Sequence, residues 1–151
     1  GPVLSTPVTG DSETGGYALL SQIMHEQTIS GGLGQHLTGH RPAGFDDWLA
    51  ENGVFRALIE MEVGGASSAT VQPHDVDALI QAGFRTALVD PSAHMKELSE
   101  RWAATYTAFF TALWGEPEHV SAGGAWWRIR PINSAVEVPL QFANRPDRRL
   151  R

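Results

Sequence analysis

Three histidines, His25, His36 and His40, are the residues of this chain whose type and spacing best suit a metal ion. His36 and His40 are four residues apart, so on a helix they would lie on one face. Glu26 or Glu13 would then supply an oxygen ligand. One hypothesis for the chain is therefore a small soluble metal-binding protein or hydrolase that uses this histidine-rich segment.

The residues around these histidines argue against that arrangement. Gly34, Gly39 and Pro42 disfavour a helix, and a spacing of four residues aligns two ligands only on a helix. Ile29 stands where a zinc-protease motif that begins at His25 would need its second histidine. We therefore favour a polar loop whose histidines form hydrogen bonds with backbone groups.

Other patterns of catalysis are incomplete in this sequence. The chain has no cysteine, which excludes cysteine nucleophiles, iron–sulfur clusters and thiolate zinc sites. Gly31, Gly32 and Gly34 resemble a phosphate-binding loop, but no lysine follows them directly and Lys96 is the only lysine. No serine lies in a Gly-x-Ser-x-Gly elbow. We assign no catalytic residue and expect no cofactor.

The sequence around Asp90 is the best candidate for a ligand contact. Residues 84–90 form a short run with an apolar centre, which predicts a buried strand that ends at Asp90. In open α/β sheets, ligands bind beyond the carboxyl ends of the strands, so Asp90 and His94 would lie beside a ligand there. The alternative is that Asp90 or Ser92 caps the helix that follows.

Hydrophobic periodicity predicts an α/β protein. The predicted elements are a strand at 3–8, a helix at 14–25, a loop at 28–44, two helices or one kinked helix over 45–63 with a break at Asn52-Gly53, a helix from Pro73 to a cap at Gly83, a strand at 84–90, a long aromatic helix from Pro91 to Leu113, and a hairpin at 118–130. This order predicts a mixed sheet of about four strands, with helices packed on it and a C-terminal β-hairpin.

The aromatic residues fit this arrangement. Strand alternation places Trp126 and Trp127 on opposite faces of the sheet. Trp102, Phe109, Phe110 and Trp114 occur at helical spacing, which favours a place in the core over a groove for a sugar or a lipid.

The size and charge of the chain fit one globular domain. It has 151 residues, of which 42% are hydrophobic, and a formal net charge of −6. That charge argues against a nucleic-acid partner, because nucleic-acid-binding domains are usually basic. Gly1-Pro2 is typical of the remnant of a cleaved tag, so we exclude these two residues from the domain. We expect a single domain at 3–131, followed by an extended basic tail at 132–151. The tail suggests a further hypothesis, a protein-interaction module.

Several stretches of the chain resemble one known group of proteins. They are Val-Leu-Ser-Thr-Pro-Val-Thr at 3–9, the segment 17–32, Ala-Gly-Phe-Arg-Thr-Ala-Leu-Val-Asp at 82–90, and Trp-Trp-Arg-Ile at 126–129 after an aromatic helix. Together they are similar to the extracytoplasmic C-terminal domain of polytopic membrane glycosyltransferase-like proteins that depend on lipid-linked sugars. In that group a strand of the Gly-x-Arg-hydrophobic type precedes a helix and a final strand, and a histidine is commoner where Asp90 stands here.

The resemblance implies a location and a role. The chain would be an accessory domain on the extracytoplasmic face of the cytoplasmic membrane, attached to the membrane-embedded part of the same polypeptide, which would hold the catalytic carboxylates. Its ligand would be a glycan or a lipid-linked sugar, and the domain alone would not be catalytic. The candidate ligand contacts are His25, Glu26, Gln27, Asp90 and His94.

Overall fold

The computed structural model describes residues 3–6, 44–63, 65–89, 99–121 and 124–140. Their elements are β1 (Val3–Thr6), α1 (Phe45–Glu51), α2 (Gly53–Val63), β2 (Ser68–Val71), α3 (Pro73–Gln81), β3 (Thr86–Val89), α4 (Ser99–Trp114), β4 (His119–Ser121), β5 (Gly124–Arg128) and β6 (Val136–Pro139). None of the helices in these ranges is both long enough and apolar enough to span a membrane. The predicted helix at 14–25 and residues 28–43 of the predicted loop lie outside the described residues.

The larger sheet has four strands in the order β1-β3-β5-β4. β1 and β3 run parallel, whereas β5 is antiparallel to both β3 and β4. β4 and β5 form the predicted C-terminal hairpin. The prediction of an α/β fold, with helices packed on a mixed sheet of about four strands, is therefore confirmed.

A second sheet of two strands is absent from the sequence prediction. β2 pairs antiparallel with β6, so that Val71 lies opposite Val136. The predicted domain ends at residue 131, whereas Val138 and Leu140 are buried in the same core as the rest of the fold. β2 (Ser-Ala-Thr-Val) is largely exposed and β6 (Val-Glu-Val-Pro) ends in a proline, so neither has the apolar run that marks β1 and β3 as strands. The fold thus continues at least to Leu140.

The helical conformation is interrupted at Asn52, so α1 and α2 are two separate helices. The amide oxygen of Asn52 accepts hydrogen bonds from the backbone N–H groups of Val54, at 3.0 Å, and Phe55, at 3.4 Å. Asn52 therefore caps the start of α2. Its amide nitrogen donates to the backbone oxygen of Asp75 at 2.9 Å, so the same buried side chain also attaches α2 to α3.

Asp75 completes this connection from the first turn of α3. Its carboxylate accepts hydrogen bonds from the backbone N–H groups of Gly53 and Gln72, both at 2.9 Å. The negative charge lies at the positive N-terminal end of α3, where it is favourable. Gly53 approaches so closely that a β-carbon at this position would collide with the carboxyl group of Asp75. The connection therefore requires a glycine.

Helix α4 contributes a large part of the aromatic core. Phe109, Phe110 and Trp114 are buried, as the helical spacing predicts. The ring centroid of Phe110 lies 5.3 Å from that of Trp127 in β5 and 5.7 Å from that of Trp114. The side chain of Trp102, which is predicted to lie in the core, is not among those that the structure describes.

The two adjacent tryptophans of β5 lie on opposite faces of the sheet, as predicted. Trp127 is buried on the face that α4 covers, whereas Trp126 is half-buried on the other face. The sheet therefore has one face that is part of the core and one that is partly accessible.

Tyr106 of α4 is a buried residue whose pKa departs strongly from its ordinary value. Burial raises the pKa of Tyr106 far above its ordinary value of 10.0, and the negative charge of Glu62 in α2 raises this pKa further. The phenol therefore stays neutral in the folded protein at pH values where an exposed tyrosine ionises.

We expect the substitution Gly53→Ala to lower the free energy of unfolding by roughly 2–4 kcal/mol, because the added methyl group displaces the buried Asp75 carboxylate from its donors. Gly65→Ala is the matched control, since a β-carbon at Gly65 meets nothing within 4 Å. Urea unfolding followed by circular dichroism measures both variants. Equal stabilities for the two variants would contradict the role of Gly53.

We expect stability to fall as the pH rises above about 10, because the unfolded chain then releases the Tyr106 proton and the folded protein does not. The unfolded state binds fewer protons in that range, so the free energy of unfolding decreases. Tyr106→Phe removes this contribution, and urea unfolding across the alkaline range should show a weaker pH dependence than in the wild type. An absorbance change at about 295 nm that reports Tyr106 ionising in the folded protein near its ordinary pKa would contradict this account.

Candidate functional site

The carboxyl ends of β1 and β3 meet at one edge of the larger sheet. The two strands are parallel neighbours, and the last residue of β1, Thr6, is the register partner of the last residue of β3, Val89. The chain therefore leaves both strands at the same edge. Edges of this kind are where open α/β sheets usually bind ligands. We call the edge formed by Thr6, Val89 and the start of β5 the strand-end edge.

The strand-end edge is closely packed. Thr6 and Val89 are buried, and Ala125 of β5 is the register partner of Val89. The hydroxyl of Thr6 donates a hydrogen bond to the backbone oxygen of Leu88 at 3.3 Å, which joins the ends of the two parallel strands. Because these residues are buried at the edge, we expect polar contacts to a ligand there from the segments that follow the strands.

The end of α3 determines where β3 begins. Gly83 has φ of 99°, in the left-handed region, and its N–H donates to the oxygen of Ile80. The N–H of Phe84 donates to the oxygen of Leu79, which completes the hydrogen-bond pattern of a Schellman motif. The motif ends α3 and turns the chain into β3.

Phe84 and Arg85 hold this turn in place. The ring of Phe84 stacks on Trp48 with 6.4 Å between centroids and meets Phe55 edge to face at 5.9 Å. The guanidinium of Arg85 donates to the backbone oxygens of Ile80, at 2.7 Å, and Phe84, at 3.1 Å. The glycine and the arginine of the Gly-x-Arg-hydrophobic strand thus both stop a helix and start a strand.

The side chains predicted to contact a ligand lie outside the described residues. They are His25, Glu26, Gln27, Asp90 and His94. Asp90 is the next residue in the sequence after Val89, so it begins the segment that leaves the strand-end edge. Their roles as ligand contacts stay predictions.

The predicted metal ligands His25, His36 and His40 also lie outside the described residues. Within the ranges that the structure describes, no three histidine, aspartate or glutamate side chains are grouped so that they could hold a metal ion. The metal hypothesis therefore stays a prediction about the histidine-rich segment.

The connection between Asn52, Gly53 and Asp75 is a polar feature that the sequence analysis does not predict. His74 is also near it, with its Nε2 atom 3.5 Å from Oδ1 of Asp75. The helix break at Asn52-Gly53 and the acidic residue in the first turn after Pro73 are each visible in the sequence. Their contact is a tertiary one, and no local pattern indicates it.

Comparisons with family models, with curated proteins and with solved structures found no match to this chain.

We expect Arg85→Gln to lower the free energy of unfolding by about 0.5–1.5 kcal/mol, because it removes two hydrogen bonds from the end of α3. Gly83→Ala should cost about 1–2 kcal/mol, since alanine is disfavoured at positive φ. Arg56→Gln on the exposed side of α2 is the matched control and should change stability by less than about 0.5 kcal/mol. Guanidinium unfolding measures all three, and no loss in Arg85→Gln relative to Arg56→Gln would contradict the helix-stop role.

Proposed function

We propose that this chain is an accessory, ligand-contact domain of a membrane protein of the lipid-linked-sugar glycosyltransferase type. In this proposal the domain lies on the extracytoplasmic face of the cytoplasmic membrane, and the membrane-embedded part of the same polypeptide carries out catalysis. The ligand is a glycan or a lipid-linked sugar that reaches the acceptor side of that catalytic site.

The observation that carries this proposal is the spatial arrangement of three of the stretches behind the resemblance. The stretches at 3–9, 82–90 and 126–129 include β1, β3 and most of β5, which are adjacent in the sheet. β1 and β3 are more than seventy residues apart in the sequence, yet they are paired neighbours in the sheet. Residues that resemble one protein group thus belong to one structural unit, as expected if the resemblance reflects a shared fold.

The roles of Gly83 and Arg85 favour an accessory role over a catalytic one. Both residues of the Gly-x-Arg-hydrophobic strand act on the backbone at the end of α3. Their occurrence in the sequence is therefore explained by the geometry of the strand start. The ligand contacts are then expected beyond the strand-end edge, where Asp90 and His94 follow β3 in the sequence.

The first test concerns the parent polypeptide. The coding sequence upstream of Val3 in the source genome should encode several hydrophobic spans of ~20 residues, with acidic residues in the first loop on the outer side. A parent protein without such spans would overturn the proposal and would direct attention to the histidine-rich segment.

The second test is enzymatic and uses the full-length parent in lipid vesicles. Asp90→Asn and His94→Gln should raise the KM for the acceptor by about tenfold with a smaller change in kcat, because a lost hydrogen bond to a ligand costs on the order of 1 kcal/mol or more. Asp77→Asn, on the exposed side of α3, is the matched control and should leave both constants unchanged. Sugar transfer by residues 3–140 alone, abolished by a change at His25 or Asp90, would contradict the accessory role.

A further inference from the structure

The face of the larger sheet opposite α4 has no carboxylate among its described residues, although the whole chain is acidic. We call it the Trp126 face. Strand alternation and the register assign nine described residues to it: Val3, Ser5, Thr86, Leu88, His119, Ser121, Gly124, Trp126 and Arg128.

Accessibility on the Trp126 face increases from β1 towards β4. Ser5 on β1 is buried, Leu88 and Trp126 on the two central strands are half-buried, and His119 on β4 is exposed. These four residues form one row across the sheet, because each is the register partner of the next. The exposed part of the face therefore lies over β4 and Arg128, and the half-buried Trp126 adjoins it.

All four positions next to Trp126 on this face are described. Leu88 and His119 lie on either side across the strands, and Gly124 and Arg128 lie two residues away along β5. Gly124 has no side chain, so it does not itself cover the indole of Trp126. An apolar surface formed by Trp126 and Leu88 is thus bordered by an imidazole and a guanidinium.

The charge on the Trp126 face is opposite to that of the chain. The formal net charge of the protein is −6, yet among the nine described residues of this face none is a carboxylate. Its titratable side chains are those of Arg128 and His119, and both are exposed. Glu118 precedes β4, so strand alternation assigns its side chain to neither face, and its backbone N–H donates to the oxygen of Trp126 at 2.9 Å. Among the described residues of this face, the exposed guanidinium of Arg128 is the group that suits an anionic ligand.

We propose that the Trp126 face binds a saccharide that carries an anionic group. A sugar ring has an apolar C–H side that packs on the indole of Trp126 and the side chain of Leu88. The guanidinium of Arg128 binds the anionic group by charge-assisted hydrogen bonds, and His119 borders the ring on the β4 side. The inference rests on the ligand-contact role proposed above and gives it a ligand class and a second contact surface.

Binding by the purified full chain tests the inference. The probes are tetragalacturonate, its uncharged methyl ester and glucose 1-phosphate, and titration calorimetry measures their dissociation constants. Tetragalacturonate should bind saturably, and its methyl ester should bind about tenfold or more weakly, because hydrogen bonds to charged groups exceed 1.4 kcal/mol. Comparison with glucose 1-phosphate tells whether a carboxylate or a phosphate is the preferred anion.

The variants separate specific binding from general attraction of charge. Arg128→Gln should weaken the binding of tetragalacturonate by about tenfold or more, and Arg56→Gln should leave it unchanged. Trp126→Phe, which retains an aromatic ring, should weaken binding less than Trp126→Ala. Both substitutions at residue 126 are compared with the wild type by thermal unfolding, and Arg128→Gln carries the test if either unfolds.

Three outcomes would overturn the inference. They are no saturable binding of any of the three probes at millimolar concentration, equal weakening by Arg128→Gln and Arg56→Gln, and equally tight binding of an oligoglutamate peptide, which has the charge without a sugar ring. None of them depends on the parent polypeptide. Failure here is therefore distinguishable from failure of the proposed function, which is decided by the membrane spans and by transfer in vesicles.

Discussion

The burial of helix α4 is the constraint on which the rest of the described fold depends. Five of its side chains, Tyr106, Phe109, Phe110, Leu113 and Trp114, form a buried stripe at spacings of three and four residues. The helix packs on β3 and β5 of the larger sheet and on β6 of the smaller one, so it joins two sheets that share no strand. The smaller sheet is accordingly part of the core, although its strands are short.

The end of α4 also sets the position of β5. The indole N–H of Trp127 donates to the oxygen of Gly115 at 3.0 Å, and that of Trp114 donates to the oxygen of Arg130 at 2.9 Å. The Arg130 guanidinium donates in return to the oxygen of Trp114. The bonds to the oxygens of Trp114 and Gly115 satisfy carbonyl groups at the C-terminal end of the helix. Together the three bonds hold Trp127 and Arg130 against this end of α4. With Trp127 fixed on one face, strand alternation commits Trp126 to the other.

The parts of the fold that the sequence predicts are those whose signals are local. Pro73 and Gly83 mark the two ends of α3, and Asn52-Gly53 marks the break between α1 and α2, because caps and breaks depend on the backbone preferences of single residues. β2 and β6 are not predicted, since β2 is composed mostly of small and polar residues and β6 ends in a proline, so neither has the apolar run of β1 or β3. They pair across more than sixty residues of sequence and are held by packing on α2 and α4.

The same distinction applies to the candidate site. Alternation alone predicts that Trp126 and Trp127 face opposite ways and that Arg128 lies on the side of Trp126, but only the register reveals that Leu88 and His119 border the indole. The contact between Asp75 and Gly53 likewise joins two helices and has no local signal. The strand-end edge combines a local signal with a tertiary one. A strand ending at Asp90 is a local prediction, and it becomes a candidate site because β1 ends beside it in register.

The helix stop at Gly83 and Arg85 explains why a short sequence signature carries information about fold more securely than about chemistry. Both residues are needed for the path of the backbone, whatever ligand the sheet contacts. Under the proposed relationship, the aspartate at position 90 replaces a commoner histidine, and this difference changes only the residue that follows β3 in the sequence. An aspartate offers acceptors and a negative charge, whereas an imidazole offers one donor and one acceptor when neutral. A change of ligand chemistry at the strand-end edge is thus compatible with an unchanged fold.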